Sequence, residues 1–422
     1  MKRNIFLAAF FCFAVLGTRP CFATENVPEE YVLWLSDLRK DMKKRGVSDE
    51  LLQKIYANPA DFYEKKPEVV AKDRSQTEFV LSSSEYLSKV VNKQRVEDAR
   101  KKYKELAADK NYRRIEKKYG VPLNYLVAFW GVETNFGEHT GNYNWIKSLT
   151  QLAYDKRRAK FFRDELYYAM KILQKNKLEY QNVKSSWAGA VGHFQFMPST
   201  YWHYAVDYDG DDAINLQNSQ LDAFASAGNY LKKSGWEKDT LWGVPVDLPW
   251  NFDYNLVGRE NIRKIKYWKQ AGIKTNLPAD MSGEKAYIVL PEGRRGNAYM
   301  VMQNFDVIMK WNRSVNYALA VGLLADYVAS DKLWETVENE VYQITRADIK
   351  KIQKFYNKHW KQNLSVDGKI GAKTAAAIKK MQNEYKLPAD GYPDYRFMKR
   401  VNAGVTTQKH LPAMPPKQKG RN

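Results

Sequence analysis

One acidic side chain, Glu133, stands near the end of the aromatic and apolar run VAFWGVETNFG at residues 127–137. On a helix advancing about 100° per residue, Leu123, Leu126, Val127 and Trp130 share a face, and Glu133 projects roughly 20° from Leu126 at its edge. The following Asn-Phe-Gly breaks the helix. A carboxyl at such an edge is partly desolvated, which raises its pKa and keeps a proton on it near neutral pH. A general acid acting on a glycosidic oxygen needs that property. The competing reading is a glutamate that turns out to water at a helix end.

A second stretch, SSWAGAVGHFQFMPSTYWHYAVDYDGDDAINL at residues 185–216, mixes glycines, aromatics and amides. Gly189 and Gly192 allow another chain or a ligand to approach the backbone closely. Ser186 and Gln195 offer hydrogen bonds of the kind that fix sugar hydroxyls and acetamides. Within it, DYDGDDAINL resembles an EF-hand loop, with Asp207, Asp209 and Asp211 at positions 1, 3 and 5 and Ile214 at the apolar position 8. Alternating carboxylates converge on a hard cation, so Ca2+ or Na+ is the expected ligand. Asp212 replaces the turn glycine, Asn218 stands where a bidentate Glu belongs, and Ala213 has only its carbonyl to give. The alternative is an Asp-rich surface turn without metal.

Helices must hold these groups. Residues 28–120 show helical recurrence rather than alternation: Val32, Leu35 and Leu38 line one face, Gly46 closes that helix, and Ser48 caps the next. The charged stretch 84–119 reads as packed helices with solvated faces. Pro122 suits the first turn of the helix carrying Glu133. Further helices are expected at 161–175, 220–233 and 314–329, with loops and a small sheet between 240 and 300. A boundary falls near 333–345. Beyond it, IQKFY followed by Asp367-Gly368, and MQNEY followed by Asp390-Gly391, form a weak repeat, two helices each ending in an Asp-Gly turn. The fold class is mainly α with a small sheet (α+β), carrying a small C-terminal helical module.

The chain has 422 residues, 12 Trp, 28 Tyr, 18 Phe and a formal charge of +20. Two or three folded units are therefore expected, with core packing as the default role of most aromatics. The charge points to polyanionic surroundings, either nucleic acid or an anionic cell envelope. Lys2, Arg3 and the apolar run 5–16 read as an export leader cleaved after Ala23, too short for a membrane span, with no lipoprotein pattern before Cys21. Cys12 and Cys21 both lie in the leader, so the exported chain would have no disulfide. The expected divisions are a leader at 1–23, a main domain at 24–332, a module at 345–402 and a disordered tail at 403–422.

These motifs together resemble the lytic murein transglycosylases of the B type, with their goose-lysozyme-like fold. AFWGVETNFG is similar to the family's catalytic-glutamate motif and AGAVGHFQFMPSTY to its Gly-Gln-Phe-Met-Pro-Ser motif. DRSQTEF (73–79), YIVLPEG (287–293) and NFDVIMKWNRSVNYALAV (304–321) follow in the family's order. VDGKIGAKTAAAIKKMQ (366–382) resembles the type 1 peptidoglycan-binding module. The resemblance implies that Glu133 is the one acid and base. It would protonate the oxygen between N-acetylmuramic acid and N-acetylglucosamine, then take the C6 proton as a 1,6-anhydro ring closes, with no cofactor needed for the chemistry. It further implies saccharide contacts from Ser186, Gln195, Tyr230, Trp311 and Tyr317, with Trp311 where a Tyr is more usual. Arg157 and Arg158 match a pair on the stem-peptide side, against the plainer role of surface charge. Asp222 matches the last acidic ligand of a longer ion loop.

Peptidoglycan glycan strands are thus the expected partner, with other cell-wall enzymes as further candidates, in the periplasm and without a transmembrane anchor. No nucleic-acid motif supports the rival reading of the charge. Two alternatives stay open. A muramidase would hydrolyse the same bond and need a second group to activate water, for which Glu138, Asp155 and Glu165 are candidates. A wall-binding scaffold would have no reason to keep a desolvated acid.

Overall fold

The computed structural model describes residues 27–74, 81–330 and 342–406. The expected leader, most of the boundary segment and nearly all of the expected tail lie outside these residues, as does most of DRSQTEF. The chain divides into two compact units at Lys65/Lys66.

The first unit holds α1 (Glu29–Lys44) and α2 (Asp49–Ile55). Tyr31, Leu35, Leu38 and Met42 are the buried face of α1, so Leu35 and Leu38 lie where expected, whereas Val32 is 43% exposed and Tyr31 takes the buried position in its place. Ser48 caps α2 as expected, accepting from Leu51 N.

In the second unit α3 (Glu68–Arg74) precedes three helices that the sequence shows as one charged stretch: α4 (Ser83–Val90), α5 (Lys93–Ala108) and α6 (Lys110–Tyr119). Their separators are side-chain caps: Ser82 and Glu85 form a reciprocal capping box on α4, and Asn92 and Asp109 cap α5 and α6. α7 (Leu123–Thr134) is buried almost all round, with Leu123, Leu126, Val127 and Phe129 at 0% exposure. α5, α6 and, from further along the chain, α11 (Gln220–Lys233) and α14 (Val315–Ala329) pack around it. α8 (Trp145–Tyr154) and α9 (Ala159–Asn176) pack on each other, flanked by the two-residue strands β1 (Tyr143–Asn144) and β2 (Lys184–Ser185), which pair with each other. α10 (Pro198–Tyr204) and α11 (Gln220–Lys233) follow.

The expected small sheet is four-stranded and antiparallel, ordered β3-β6-β5-β4: β3 (Gly243–Val246), β4 (Arg263–Lys264), β5 (Lys285–Val289) and β6 (Ala298–Val301). With α12 (Ile265–Gln270) it encloses its own core around Trp268, Ile265, Ile288 and Met300. α13 (Gln303–Trp311) and α14 (Val315–Ala329) return to the helical body, α14 lying against α7 and α5.

The C-terminal module comprises α15 (Arg346–Trp360), α16 (Ala372–Glu384) and α17 (Tyr395–Asn402) around Ile349, Ile352, Ile378, Met381, Tyr385 and Phe397. Its repeat is physical. Gln353 donates to Asp367 Oδ1 and accepts from Gly368 N, and Gln382 does the same with Asp390 Oδ1 and Gly391 N. Each buried glutamine thereby locks an Asp-Gly turn whose glycine has φ near +70 to +78°.

Candidate active site

Glu133 lies in the last turn of α7, one residue before its C-terminal end, and the helix stops because Asn135, Phe136 and Gly137 all take positive φ. α14 packs on α7 here; Gly131 makes room for the Phe136 ring, which a Cβ would strike at 2.7 Å, and Gly322 for the Trp242 indole, at 2.3 Å. Tyr317, in the first turns of α14, donates its hydroxyl to Glu133 Oε1 at 2.5 Å. Trp311, closing α13, donates Nε1 to the same oxygen at 2.9 Å.

Burial pushes the Glu133 pKa up to about 7, against the opposing pull of these two donors, which favour the charged form. No second carboxylate is among the groups acting on it. The three acids considered as partners are engaged elsewhere. Glu165 is buried and caps α10 through Ser199 N and Oγ, both at 2.8 Å. Asp155 pairs with Arg74, and Glu138 accepts from Asn135. The desolvated reading of Glu133 holds, and the solvent-turned one does not.

The glycine-glutamine loop is docked onto α7. Thr134 Oγ1 donates to His193 O at 2.8 Å, and Trp130 Nε1 donates to His193 Nδ1 at 3.1 Å. That bond needs an unprotonated Nδ1, in keeping with the lowered pKa that burial gives His193. Gly192 is required because a Cβ would lie 2.1 Å from Leu216 O, and Gly189 because it would meet Leu149 at 2.5 Å. The close approach is thus made by the chain itself. Gln195, at φ 50°, donates Nε2 to Thr140 O and Gly192 O. Ser186 closes the loop's start through Ala190, its Oγ accepting from Ala190 N.

An aromatic cage surrounds Trp311: Phe129 at 4.7 Å, Tyr230 edge-on at 4.9 Å and Phe196 at 5.3 Å between ring centroids. Tyr230 also donates its hydroxyl to Lys310 O. Glu133, Trp311, Tyr317 and Tyr230 are therefore one cluster. Arg157 and Arg158 are elsewhere in the contact network: both reach the buried carboxylate of Asp73, at 3.0 and 3.3 Å, and Arg158 also lies over Phe161 and Phe162.

Two residues escaped the sequence reading. Tyr86 on α4 is half-buried, and its pKa is raised by burial and then by the charge of Glu133. Arg95 on α5 donates to Asn135 Oδ1 at 3.3 Å and so holds the break after Glu133. Nothing in SSSEYLSKV marks Tyr86. Its capping box announces a helix and no chemistry.

In the ion loop, Asp207, Asp209 and Asp211 each present a carboxylate oxygen, all within 4.8 Å of one another. Hard oxygen donors in that arrangement fit a hard cation. Loop amides already orient them: Gly210 N and Asp212 N donate to Asp207, and Ala213 N to Asp211. Asp222 is not in the group. It is 0% exposed, its two oxygens accept from Tyr208 N and Asn215 N, and it braces the loop from beneath.

Residues 31–326 match the model of the transglycosylase SLT domain, and residues 344–401 that of a putative peptidoglycan binding domain. The membrane-bound lytic murein transglycosylase B of Escherichia coli K12 is 34% identical over 216 residues, which span 50% of this chain and 58% of that relative. The structure of SltB3 from Pseudomonas aeruginosa in complex with NAG-anhNAM-pentapeptide superposes with a TM-score of 0.81 at 36% identity, covering 89% of this chain and all of that one. The Escherichia coli lytic transglycosylase Slt35 in complex with calcium superposes at 0.60 with 28% identity, covering 70% of this chain and 92% of that one. Among the described residues no helix is long and apolar enough to cross a membrane.

Proposed function

The chain belongs to the transglycosylase SLT-domain family, and from that premise we propose that it cleaves the β-1,4 bond between N-acetylmuramic acid and N-acetylglucosamine in peptidoglycan without water. The observation that carries this reading is a single carboxyl, Glu133, poised at a pKa of about 7 with no second carboxylate acting on it. A hydrolase of the two-carboxylate kind needs a partner acid, and Glu138, Asp155 and Glu165 are each held by another residue, Asn135, Arg74 and Ser199 respectively.

Glu133 gives its proton to the glycosidic oxygen as the bond to C1 of the muramic residue breaks. The substrate's own acetamide stabilises the positive charge at C1. The Glu133 carboxylate, held by Tyr317 and Trp311, then takes the proton of the C6 hydroxyl as O6 bonds to C1. The 1,6-anhydro ring closes and Glu133 ends protonated, ready for another cycle. A pKa near neutrality suits a group that must both give and take a proton.

Ser186 and Gln195 on the docked loop, and the faces of Tyr230 and Trp311, take the saccharide. Tyr317 serves the substrate chiefly through Glu133. Arg157 and Arg158, half-exposed beyond Asp73, take the stem-peptide carboxylates. The module at 345–402 tethers the enzyme to its insoluble substrate, raising the local concentration of glycan. Asp207, Asp209 and Asp211 hold a Ca2+ or Na+ ion that stiffens the loop before α11, with no part in the proton transfers. The leader at 1–23 directs the chain to the periplasm.

Mass spectrometry of fragments released from purified peptidoglycan tests the reading. Anhydromuramic ends from the parent protein, absent with Glu133→Gln, are expected. Reducing ends would make it a muramidase, and binding without release would make it a scaffold.

A further inference from the structure

The sheet subdomain carries a basic and aromatic edge that cleavage does not use. Residues 263–274, RKIKYWKQAGIK, contain five cations and no acid. They form β4, the outermost strand of the sheet, and α12, which follows it directly. Ile265 and Trp268 are fully buried, which turns Lys266 and Tyr267 outward. Lys264 sits directly opposite Lys285 in the β4–β5 register. Like charges so placed are destabilising. Among the described residues no ion pair is recorded for Arg263, Lys264, Lys266, Lys274 or Lys285, and Arg263 lies over the Tyr267 ring. Glu284, Asp247 and Asp280, the last on a short helix at 280–283 packed against α12, are acids at the margins of this edge.

Beside the end of α12 stands Trp250. Pro249 packs at Gly272, and Asp247 pairs with Lys274 through the backbone, which brings the 249–252 turn to that end of the helix. Phe252 N donates to Pro249 O, so Trp250 occupies the tip of the turn, and it is 95% exposed while Phe252 is 7% exposed. Lysines on an edge strand also prevent edge-to-edge pairing, which accounts for Lys264. That device explains neither the outward face of α12 nor an indole at a turn tip.

We propose that this edge, made by β4, α12 and the Trp250 turn, docks the protein on an anionic lipid surface, the lysines meeting headgroup phosphates and Trp250 entering the interfacial layer. Tryptophan favours that layer, and each basic residue near an anionic bilayer contributes roughly fivefold in partitioning. The carboxylates of wall peptides share the charge but offer no interface for an indole, so lipid is the occupant favoured.

The test is co-sedimentation of the full chain with phosphatidylcholine vesicles containing 30 mol% phosphatidylglycerol (~30%, a composition that sets an ordinary anionic surface potential), against pure phosphatidylcholine. Binding to the anionic vesicles alone is expected, weakening with salt. K264E/K266E should lower it by at least ~25-fold and Trp250→Ala by a smaller factor. K101E/K104E, the same charge change on α5, should leave most of it. Wall cleavage by soluble K264E/K266E reports its folding. Equal binding to both vesicles, equal loss in the two double variants, or loss of sacculus binding with vesicle binding intact would overturn the proposal, the last assigning the edge to the wall polymer.

Discussion

The hydroxyl of Tyr317 and the carboxylate of Glu133, 184 residues apart in sequence, meet in a 2.5 Å hydrogen bond to Oε1, the oxygen that Trp311 also holds. Both donors therefore act on one oxygen. Each favours the ionised carboxylate, while burial favours the neutral acid, and the balance rests at about pH 7. Burial wins without abolishing the second half of the cycle, in which the carboxylate must exist long enough to accept a proton.

The balance sets a pH profile. With protonated Glu133 starting the reaction, kcat/KM should be level below neutrality and fall as pH rises through about 7. Tyr317→Phe removes a donor that favours the charged form, so its alkaline limb should move up, by about one unit, with kcat reduced roughly tenfold or more. Trp311→Phe should shift the limb in the same direction. An alkaline limb that stays in place in both variants would remove the two donors from the control of Glu133.

The same pKa has a cost in stability. Glu133 rises from 4.5 in a free chain to about 7 in the fold, so the folded state binds the extra proton between those values. Its contribution is complete below about pH 4.5 and is lost as pH rises through 7, which at ~1.4 kcal/mol per unit amounts to about 3 kcal/mol. Glu133→Gln should thus be more stable than the parent at pH 8, by up to that amount, and about equal at pH 4, while cleavage falls by ~10²–10⁴-fold. Urea denaturation at the two pH values checks it, and a difference that does not grow with pH would contradict the raised pKa.

How far the site could be read beforehand depended on where each residue's partner lies. Glu133 was legible because apolar neighbours and the Asn-Phe-Gly break are local. The two Asp-Gly turns were legible for the same reason, although their locks, Gln353 and Gln382, appeared only as letters of a repeat. Val32 misled because its neighbour Tyr31, amphipathic by type, took the buried position instead. The need for Gly192 comes from Leu216 O, and the role of Asp222 from Tyr208 N and Asn215 N, which no periodicity encodes. Tyr86 reaches the field of Glu133 only because α4 packs against α14.

Calcium offers a separate check on the Asp207 loop. Saturating Ca2+ should raise unfolding stability by about 1–3 kcal/mol, the range that ligand binding to the native state alone delivers near 100-fold over Kd, and a chelator should reverse it. D209N/D211N should lose the calcium response with little effect in its absence. Asp222→Ala should be destabilising with or without the ion, because it leaves two half-buried amides without their acceptor. A calcium response intact in D209N/D211N would move the ion elsewhere.

The arginine pair needs an experiment that separates its two roles. Asp73 is 5% exposed and meets both Arg157 and Arg158, so R157Q/R158Q should destabilise the fold by about 1–3 kcal/mol by leaving a buried carboxylate without a cation. Adding Asp73→Asn removes the stranded charge and should restore most of that loss. Binding is read in the triple variant, where stability no longer confounds it. If the guanidiniums reach stem-peptide carboxylates, KM should rise about tenfold on peptide-bearing glycan and stay level on glycan stripped of its peptides, with kcat little changed on either. Equal KM values on both substrates would confine Arg157 and Arg158 to holding α3 through Asp73.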